Sequence, residues 1–470
     1  MRREMQKLKI LVDKIAFFLI SSLISSQKVG NILKKFLLLC ALLVSSVFHL
    51  DARYDLSEFT LKNGLRVVCL KRNSSPIISF LILYNCGSMH DAISKSGVAH
   101  YLEHMAFEFN GGEFSKFLES IGAETNAYTS LRSICFYEII PSEHIEAVFE
   151  HESMRMKSID IDENVFLAEK GAILEERNMR HDSSPQGAAY EALTSNAFNR
   201  SAGGISVIGW KSEIKSIQPQ DLQDFHAIWF APNNATILIV GDIVDVNQIK
   251  TLAEKYFGNL EPKEIRRNQE DSTRPSCVKE ITYSSPKISM VSLGYIYHVP
   301  FSHRQNFRKS MSLTLALSVL NQPDSFPRKI LEHDWKKASN VTFAYMEGYF
   351  PYDVVETGID SSVKNIAEAE KIFARLMKRL LAVGIAKRDL DTVKKQWELS
   401  MAYKKDDIGD ITDYIAHLLS HGYLLEEIQS IDETIQSITI DECNAVLREV
   451  FSANPVIISR IMPKEYNRDQ

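Results

Sequence analysis

Two periods alternate along this chain. Ile77 to Tyr84 is almost wholly apolar and rich in β-branched and aromatic residues, which predicts a strand. Thr236 to Val240 predicts a second, buried strand. Apolar residues recur at helical spacing from Ser142 to Ser158. Ile217-Gln218-Pro219 opens another helix that runs to Trp229. Between Pro262 and Pro275 the chain is charged, bounded by prolines and without a core pattern, which reads as a linker. Beyond it, Ile288 to Tyr297 restarts a strand and Phe307 to Leu320 an apolar helix. Helices follow at Ile366 to Val383, Lys387 to Tyr403 and Ile408 to Tyr423. The order strand, helices, strand thus occurs on both sides of the linker. The expectation is two α+β domains, residues 53–262 and 277–470, joined by a linker at 263–276. Sequence identity between the two halves is too weak to establish a repeat.

Composition narrows the function classes. The chain has 470 residues, 45% of them apolar and 10% aromatic, enough for more than one sizeable core. A net charge of −6 offers no basic footprint for nucleic acid. The sequence holds no glycine-rich phosphate loop, no Cys-x-x-Cys pair and no nucleophile-elbow motif. Beyond Cys40, the five cysteines Cys69, Cys86, Cys135, Cys277 and Cys443 are widely scattered. An odd number at such spacing is no disulfide framework, and small core residues are the expectation.

The N-terminus is a separate object. Phe36 to Leu50 is an almost unbroken apolar run behind Lys34 and Lys35, with Ala52 as a small residue at a cleavage point. Basic, then apolar, then small is the layout of a signal peptide. The run is short for a membrane span, which needs about 20 residues. A start near Val29 and an uncleaved N-terminal anchor are the other two readings. All three export the rest of the chain to a periplasmic or membrane-anchored place. A cytosolic protein with a buried N-terminal helix is the alternative.

Candidate chemistry concentrates in His100-Tyr101-Leu102-Glu103-His104. On a helix at about 100° per residue, His100, Glu103 and His104 fall within one narrow arc. That arc can hold a divalent metal on two imidazoles, with a carboxylate beside the open position for water. Alone, a pair of helical histidines is more often surface or core decoration than a ligand set. A third donor is available in the run Glu169 to Glu176, which reads as helix despite Gly171. Glu169 and Glu176 lie two turns apart on one face, so Glu176 can reach the metal while Glu169 orients it or one of its ligands. Glu175 points about 100° away, towards solvent. Acidic residues on a helix otherwise form a wet face.

With these residues in place the chain resembles the pitrilysin and mitochondrial-processing-peptidase family. The segment Gly97 to Phe107 is similar to its metal signature, and Leu61 to Val67 to its opening strand. Gly122 to Ser130 resembles its substrate-binding edge strand, and Val207 to Trp210 the segment after the third ligand. Ala231 to Ala235, followed by Val240-Gly241-Asp242, is similar to the last strand of its first domain. The resemblance implies duplicated α+β domains, each a mainly antiparallel sheet packed against helices. It implies one Zn2+ per chain on His100, His104 and Glu176, with Glu103 as general base and Glu169 in support. It implies a zinc endopeptidase acting on peptides or small unfolded proteins. Substrate would bind by strand addition along Asn126, Ala127, Tyr128 and Thr129, on an exposed strand expected to continue to Tyr137; an ordinary paired edge strand is the alternative there. The family also supplies metal-free scaffold subunits, so a non-catalytic binding subunit is the competing reading.

Two departures bear on partners. Active single-chain or homodimeric relatives carry an Arg and a Tyr seven residues apart in the second domain. Here Arg304, Arg308, Arg328, Arg375, Arg379 and Arg388 have no Tyr seven residues later. A glycine-rich turn is also replaced by Asn321-Gln322-Pro323-Asp324. The pattern resembles the metal-bearing subunit of two-subunit bacterial members, whose metal-free partner supplies the pair. A heterodimer is therefore expected. The alternative is a homodimer in which Tyr345, Tyr349 or another group substitutes. The second departure, Asn199-Arg200-Ser201, has no physical account.

Overall fold

The computed structural model describes residues 54–72, 75–107, 109–198, 204–265, 278–348 and 352–464. The N-terminal apolar run, Asn199-Arg200-Ser201, Cys277, Tyr349 and most of the linker lie outside the described residues. Asp55–Gln470 forms one compact unit.

Eleven strands build two sheets among the described residues. They are β1 (Leu56–Thr60), β2 (Arg66–Lys71), β3 (Ile77–Tyr84), β4 (Glu124–Thr129), β5 (Ile134–Pro141) and β6 (Ala235–Gly241) in the first. The second has β7 (Lys279–Ser285), β8 (Val291–His298), β9 (Asn340–Met346), β10 (Val354–Ser361) and β11 (Ile457–Pro463). The first sheet is ordered β1-β2-β6-β3-β5-β4 and the second β7-β11-β8-β10-β9. Each is antiparallel except for one parallel pair, β2 with β6 and β7 with β11. Removing β1 makes the two orders superimpose strand for strand, so the structure supplies the repeat that sequence identity could not. The mainly antiparallel α+β expectation holds in both halves.

Helices fill equivalent connections. Between β3 and β4 run α1 (Val98–Phe107) and α2 (Glu113–Ser120). Between β5 and β6 run α3 (Ile145–Lys157), α4 (Glu163–Arg177), α5 (Pro185–Ala197), α6 (Lys211–Ser216) and α7 (Pro219–Trp229), and α8 (Val246–Phe257) follows β6. The second half has α9 (Phe307–Leu320) after β8. Five more lie between β10 and β11: α10 (Ile366–Val383), α11 (Lys387–Asp406), α12 (Ile408–His421), α13 (Leu425–Ser437) and α14 (Ile440–Phe451).

Local chemistry sets several boundaries where the apolar pattern expects them, while the helix expected from Lys387 to Tyr403 runs on to Asp406. The predicted strand Ile77–Tyr84 and the helices Pro219–Trp229, Phe307–Leu320 and Ile366–Val383 form with those ends. The helix expected to reach Tyr423 stops at His421, because Gly422 turns into the left-handed region at φ 84. The strand expected from Ile288 starts at Val291, because a tight turn closes from Ile288 N–H to Ser285 O. The edge segment from Asn126 to Tyr137 is two strands rather than one. Ser130 Oγ accepts from the Arg132 and Ser133 amides and folds the chain back between β4 and β5.

Packing explains why β3 carries no polar stripe. Ile78, Phe80, Ile82 and Tyr84 join the helix-side core with Tyr101, Phe136, Phe149 and Ile239. Leu81 and Leu83, of opposite parity, are also buried. Helix α12 from the second half lies across β3 and β6 and covers that other face. A strand covered on both faces reads as a continuous apolar run. Cys69, Cys86, Cys135 and Cys443 are buried, as small core residues. No helix among the described residues is long and apolar enough to cross a membrane.

Candidate metal centre

Helix α1 enters the site through a built N-terminus. The Asp91 carboxylate accepts the Gly97 amide at 2.7 Å and the Ala99 amide at 2.8 Å. Gly97 sits at φ +93, and a Cβ there would lie 2.5 Å from Ile208 O. The segment Ile208-Gly209-Trp210 therefore packs backbone to backbone on the helix start, and the Trp210 amide donates to Ser96 Oγ at 2.9 Å. Leu102, Met105 and Ala106 bury the opposite side of α1 in the core. With both the start and the apolar face fixed, the arc bearing His100, Glu103 and His104 has one orientation.

Helix α4 brings the acidic side. Asp162 caps it by accepting the Asn164 and Val165 amides. Ile173 is fully buried, which turns Glu169 and Glu176 towards α1 and leaves Glu175 exposed. His100, His104 and Glu176 each offer a ligand atom, and these atoms lie within 4.8 Å of one another. Glu176 Oε2 is 3.6 Å from His100 Nε2 and 3.7 Å from His104 Nε2. Those separations are too long for hydrogen bonds. Two donors bound to zinc at about 2.1 Å in tetrahedral geometry are themselves about 3.4 Å apart. Glu176 Oε2 is also buried without a hydrogen-bond partner, so an acceptor-only oxygen faces two imidazoles. The donor set and its spacing fit a zinc ion.

The surrounding groups orient the three. Glu169 Oε2 is 2.9 Å from His104 Nδ1, the nitrogen turned away from Glu176. Thr129 Oγ1 donates to Glu103 Oε2 at 2.6 Å. Arg180 Nη2 lies 2.7 Å from Glu176 Oε1. His100 Nδ1 has no hydrogen-bond partner. Burial, helped by the neighbouring His104, pulls the His100 pKa down to about 4, so the ring is neutral at pH 7. Burial pulls His104 down too, but the Glu176 and Glu169 carboxylates outweigh it and the net shift is upward. Burial raises Glu103, and the Thr129 hydroxyl offsets part of that rise. The His104 contact lowers Glu176.

Five of the nine residues singled out in the sequence thus converge: His100, Glu103, His104, Glu169 and Glu176. Thr129 joins them through its hydroxyl, in a contact that sequence did not foresee. Asn126, Ala127 and Tyr128 stay on β4, the last strand in the order of the first sheet among the described residues. Sequence reading also missed Arg180, although an acidic residue followed by a basic one four positions on is a helix pair signal. It missed the buried pair of Arg177 with Glu191 at 2.8 Å, for which no local signal exists.

Comparison with known proteins gives the class. Residues 66–210 match the insulinase family, peptidase family M16. Residues 216–397 match the peptidase M16 inactive domain. The chain belongs to the peptidase M16 family. It is 27% identical over 379 residues to the zinc protease PqqE of Helicobacter pylori, covering 77% of this chain and 82% of that one. It is 23% identical over 425 residues to the mitochondrial-processing peptidase subunit beta of Caenorhabditis elegans, covering 87% and 90%. The crystal structure of a protease from Helicobacter pylori superimposes with a TM-score of 0.78 at 22% identity, over 87% of this chain and all of that one.

Proposed function

We propose that this chain is a zinc-dependent endopeptidase for peptides or small unfolded proteins, with residues 53–262 carrying the chemistry and 277–470 enclosing substrate. One observation carries the reading. A buried, unpartnered Glu176 oxygen faces the His100 and His104 Nε2 atoms at 3.6 and 3.7 Å, and the buried Glu103 carboxylate lies on the helix that carries both imidazoles. His100, His104 and Glu176 would hold one zinc ion, which supplies a Lewis acid that polarises a carbonyl and lowers the pKa of water towards about 7.

The protein's own groups do the rest. Glu103 takes the proton of the attacking water and delivers it to the leaving amide nitrogen. Its raised pKa suits a group that must both accept and return a proton. Glu169 holds the His104 ring at Nδ1, which leaves Nε2 as the atom that would bind the ion. The outer edge of β4 takes the substrate as an added strand. Asn126 Oδ1 now occupies the Ala127 amide at 2.8 Å, so substrate pairing competes with that contact.

The Arg/Tyr absence extends to partners. Arg308 is held by Glu442 and Ser437, and Arg328 by Glu332 and the Asn321 carbonyl. Neither is free to hold substrate, which favours a homologous metal-free partner over a homodimer. The apolar N-terminal run supports an exported, periplasmic or membrane-anchored protein.

The competing reading is a non-catalytic scaffold. Peptide hydrolysis by the zinc-loaded chain separates the two, measured alone and with a candidate partner. The endopeptidase reading expects chelator-sensitive cleavage. It also expects Glu103→Gln to keep stoichiometric zinc while activity falls by about 10²–10⁴-fold. Full activity in that variant removes Glu103 as base. No cleavage under either condition by a chain that binds zinc favours the scaffold.

A further inference from the structure

We infer that Arg180 orients the third donor of the metal centre, holding one oxygen of the Glu176 carboxylate so that the other is left for the ion. The inference rests on the zinc reading above. Arg180 Nη2 lies 2.7 Å from Oε1, while Oε2 faces His100 and His104 and has no hydrogen-bond partner. A glutamate carboxylate turns in a broad, roughly two-fold well about its last torsion. Without a partner on Oε1, either oxygen or both could face the imidazoles. With Arg180 in place, one oxygen is engaged and one is presented.

An exposed i,i+4 pair is ordinarily worth little. Two features set this one apart. Its acceptor is the carboxylate of the centre itself. Its donor stands on a turn that the fold fixes from both sides. Asn178–Asp182 leaves α4 as a single π-helical turn, closed from the Ser183 amide to Asn178 O at 2.8 Å. Such wide turns recur at functional sites. Helix α5 packs backbone against it: a Cβ at Gly187 would lie 1.9 Å from Arg180 O, so only glycine fits there. Arg177 anchors the turn's start to Glu191 and to the Gly209 carbonyl at 2.5 Å. Asp182 anchors its end to Lys211 at 2.8 Å. Thus the Arg180 backbone is tied down while its side chain is 67% exposed. Apart from Glu176, the guanidinium has no hydrogen-bond or ion-pair partner among the described residues.

The test measures zinc affinity of the full chain by competition with a chromophoric chelator, together with the visible spectrum of the Co2+-substituted protein. R180A is expected to bind zinc about 10–100-fold more weakly, the usual cost of losing a group that holds a ligand. Its Co2+ bands should shift as the carboxylate changes its mode of coordination. Should the alanine variant fail to fold, R180M keeps the length, removes the donors and carries the same expectation. Glu175→Gln, on the exposed face beside the ligand, should change neither readout. Wild-type affinity and an unchanged Co2+ spectrum in R180A or R180M would overturn the role of Arg180 alone. A wild-type chain that takes up no stoichiometric zinc would instead overturn the endopeptidase reading.

Discussion

The two halves share a strand order and differ in what they place between equivalent strands. In the first half, α1 follows β3 and buries His100 and Glu103 beside Tyr101 and Leu102. In the second, α9 follows β8 and buries Met311, Leu313, Leu315, Leu317 and Leu320. Among the described residues the one cluster able to hold a metal is His100, His104 and Glu176. The difference teaches that this helix position does not itself require titratable residues inside. The second half fills its equivalent helix with aliphatic side chains and the uncharged Ser310 and Ser312, so no charge is desolvated there. The first half buries a carboxylate and an imidazole there, and burial shifts both pKa values towards their neutral forms. Buried polar groups of that kind mark function rather than stability.

The largest expected effect breaks the contrast at its centre. His104→Ala should lose stoichiometric zinc and lower peptidase activity by at least about 10³-fold, read by metal analysis and peptide cleavage. Retained zinc would remove the ligand assignment. The mirror experiment in the second half is Leu313→Ala, a fully buried position. It should cost about 2–5 kcal/mol of stability, seen as a lowered unfolding midpoint, while zinc affinity stays at the wild-type value. Weakened zinc binding there would show that the halves are not energetically separable.

Thr129→Val sharpens the comparison at the edge strand. The hydroxyl to Glu103 is a hydrogen bond to a charged acceptor at 2.6 Å. Its loss should lower kcat by about 10-fold, or about 1.4 kcal/mol, with zinc and KM little changed. A KM effect without a kcat effect would place Thr129 with substrate instead.

The smallest effect lies in the second half. The Arg308 guanidinium beside Glu442, with the Thr439 amide and hydroxyl, lowers its pKa to about 2. A depressed carboxylate stabilises the fold above its ordinary range and loses that contribution as pH falls from about 4.5 through about 2. The pair is largely exposed, so screening keeps it below about 1 kcal/mol. Glu442→Gln should remove that part of the acid dependence and leave zinc binding untouched, as read by thermal unfolding against pH.

Much of the site was legible because its key relations are local. The i, i+3, i+4 spacing of His100, Glu103 and His104 holds on any helix, and the two-turn spacing of Glu169 and Glu176 on any other. What those spacings cannot supply is the approach of the two helices. The fold sets it by pinning α1 at Asp91, Gly97 and Trp210, and α4 by burying Ile173. The expected edge strand divides in two because the Ser130 hydroxyl reverses the chain between Ser130 and Ser133, where no glycine or proline marks a turn. The repeat was invisible because a duplicated order of strands constrains burial and not residue identity.

By itself the sequence determined the α+β pattern, both ends of several helices and strands, and which residues could serve as donors. These follow from periodicity, caps and turn chemistry, which act over a few residues. Only the tertiary structure decided that Glu176 presents one oxygen to both imidazoles and that Thr129 meets Glu103. It also decided that α12 seals the far face of β3 and that Arg180 stands on a turn fitted to Gly187. Each of these joins segments far apart in the chain. Their contact depends on how whole elements pack, and no local propensity encodes that.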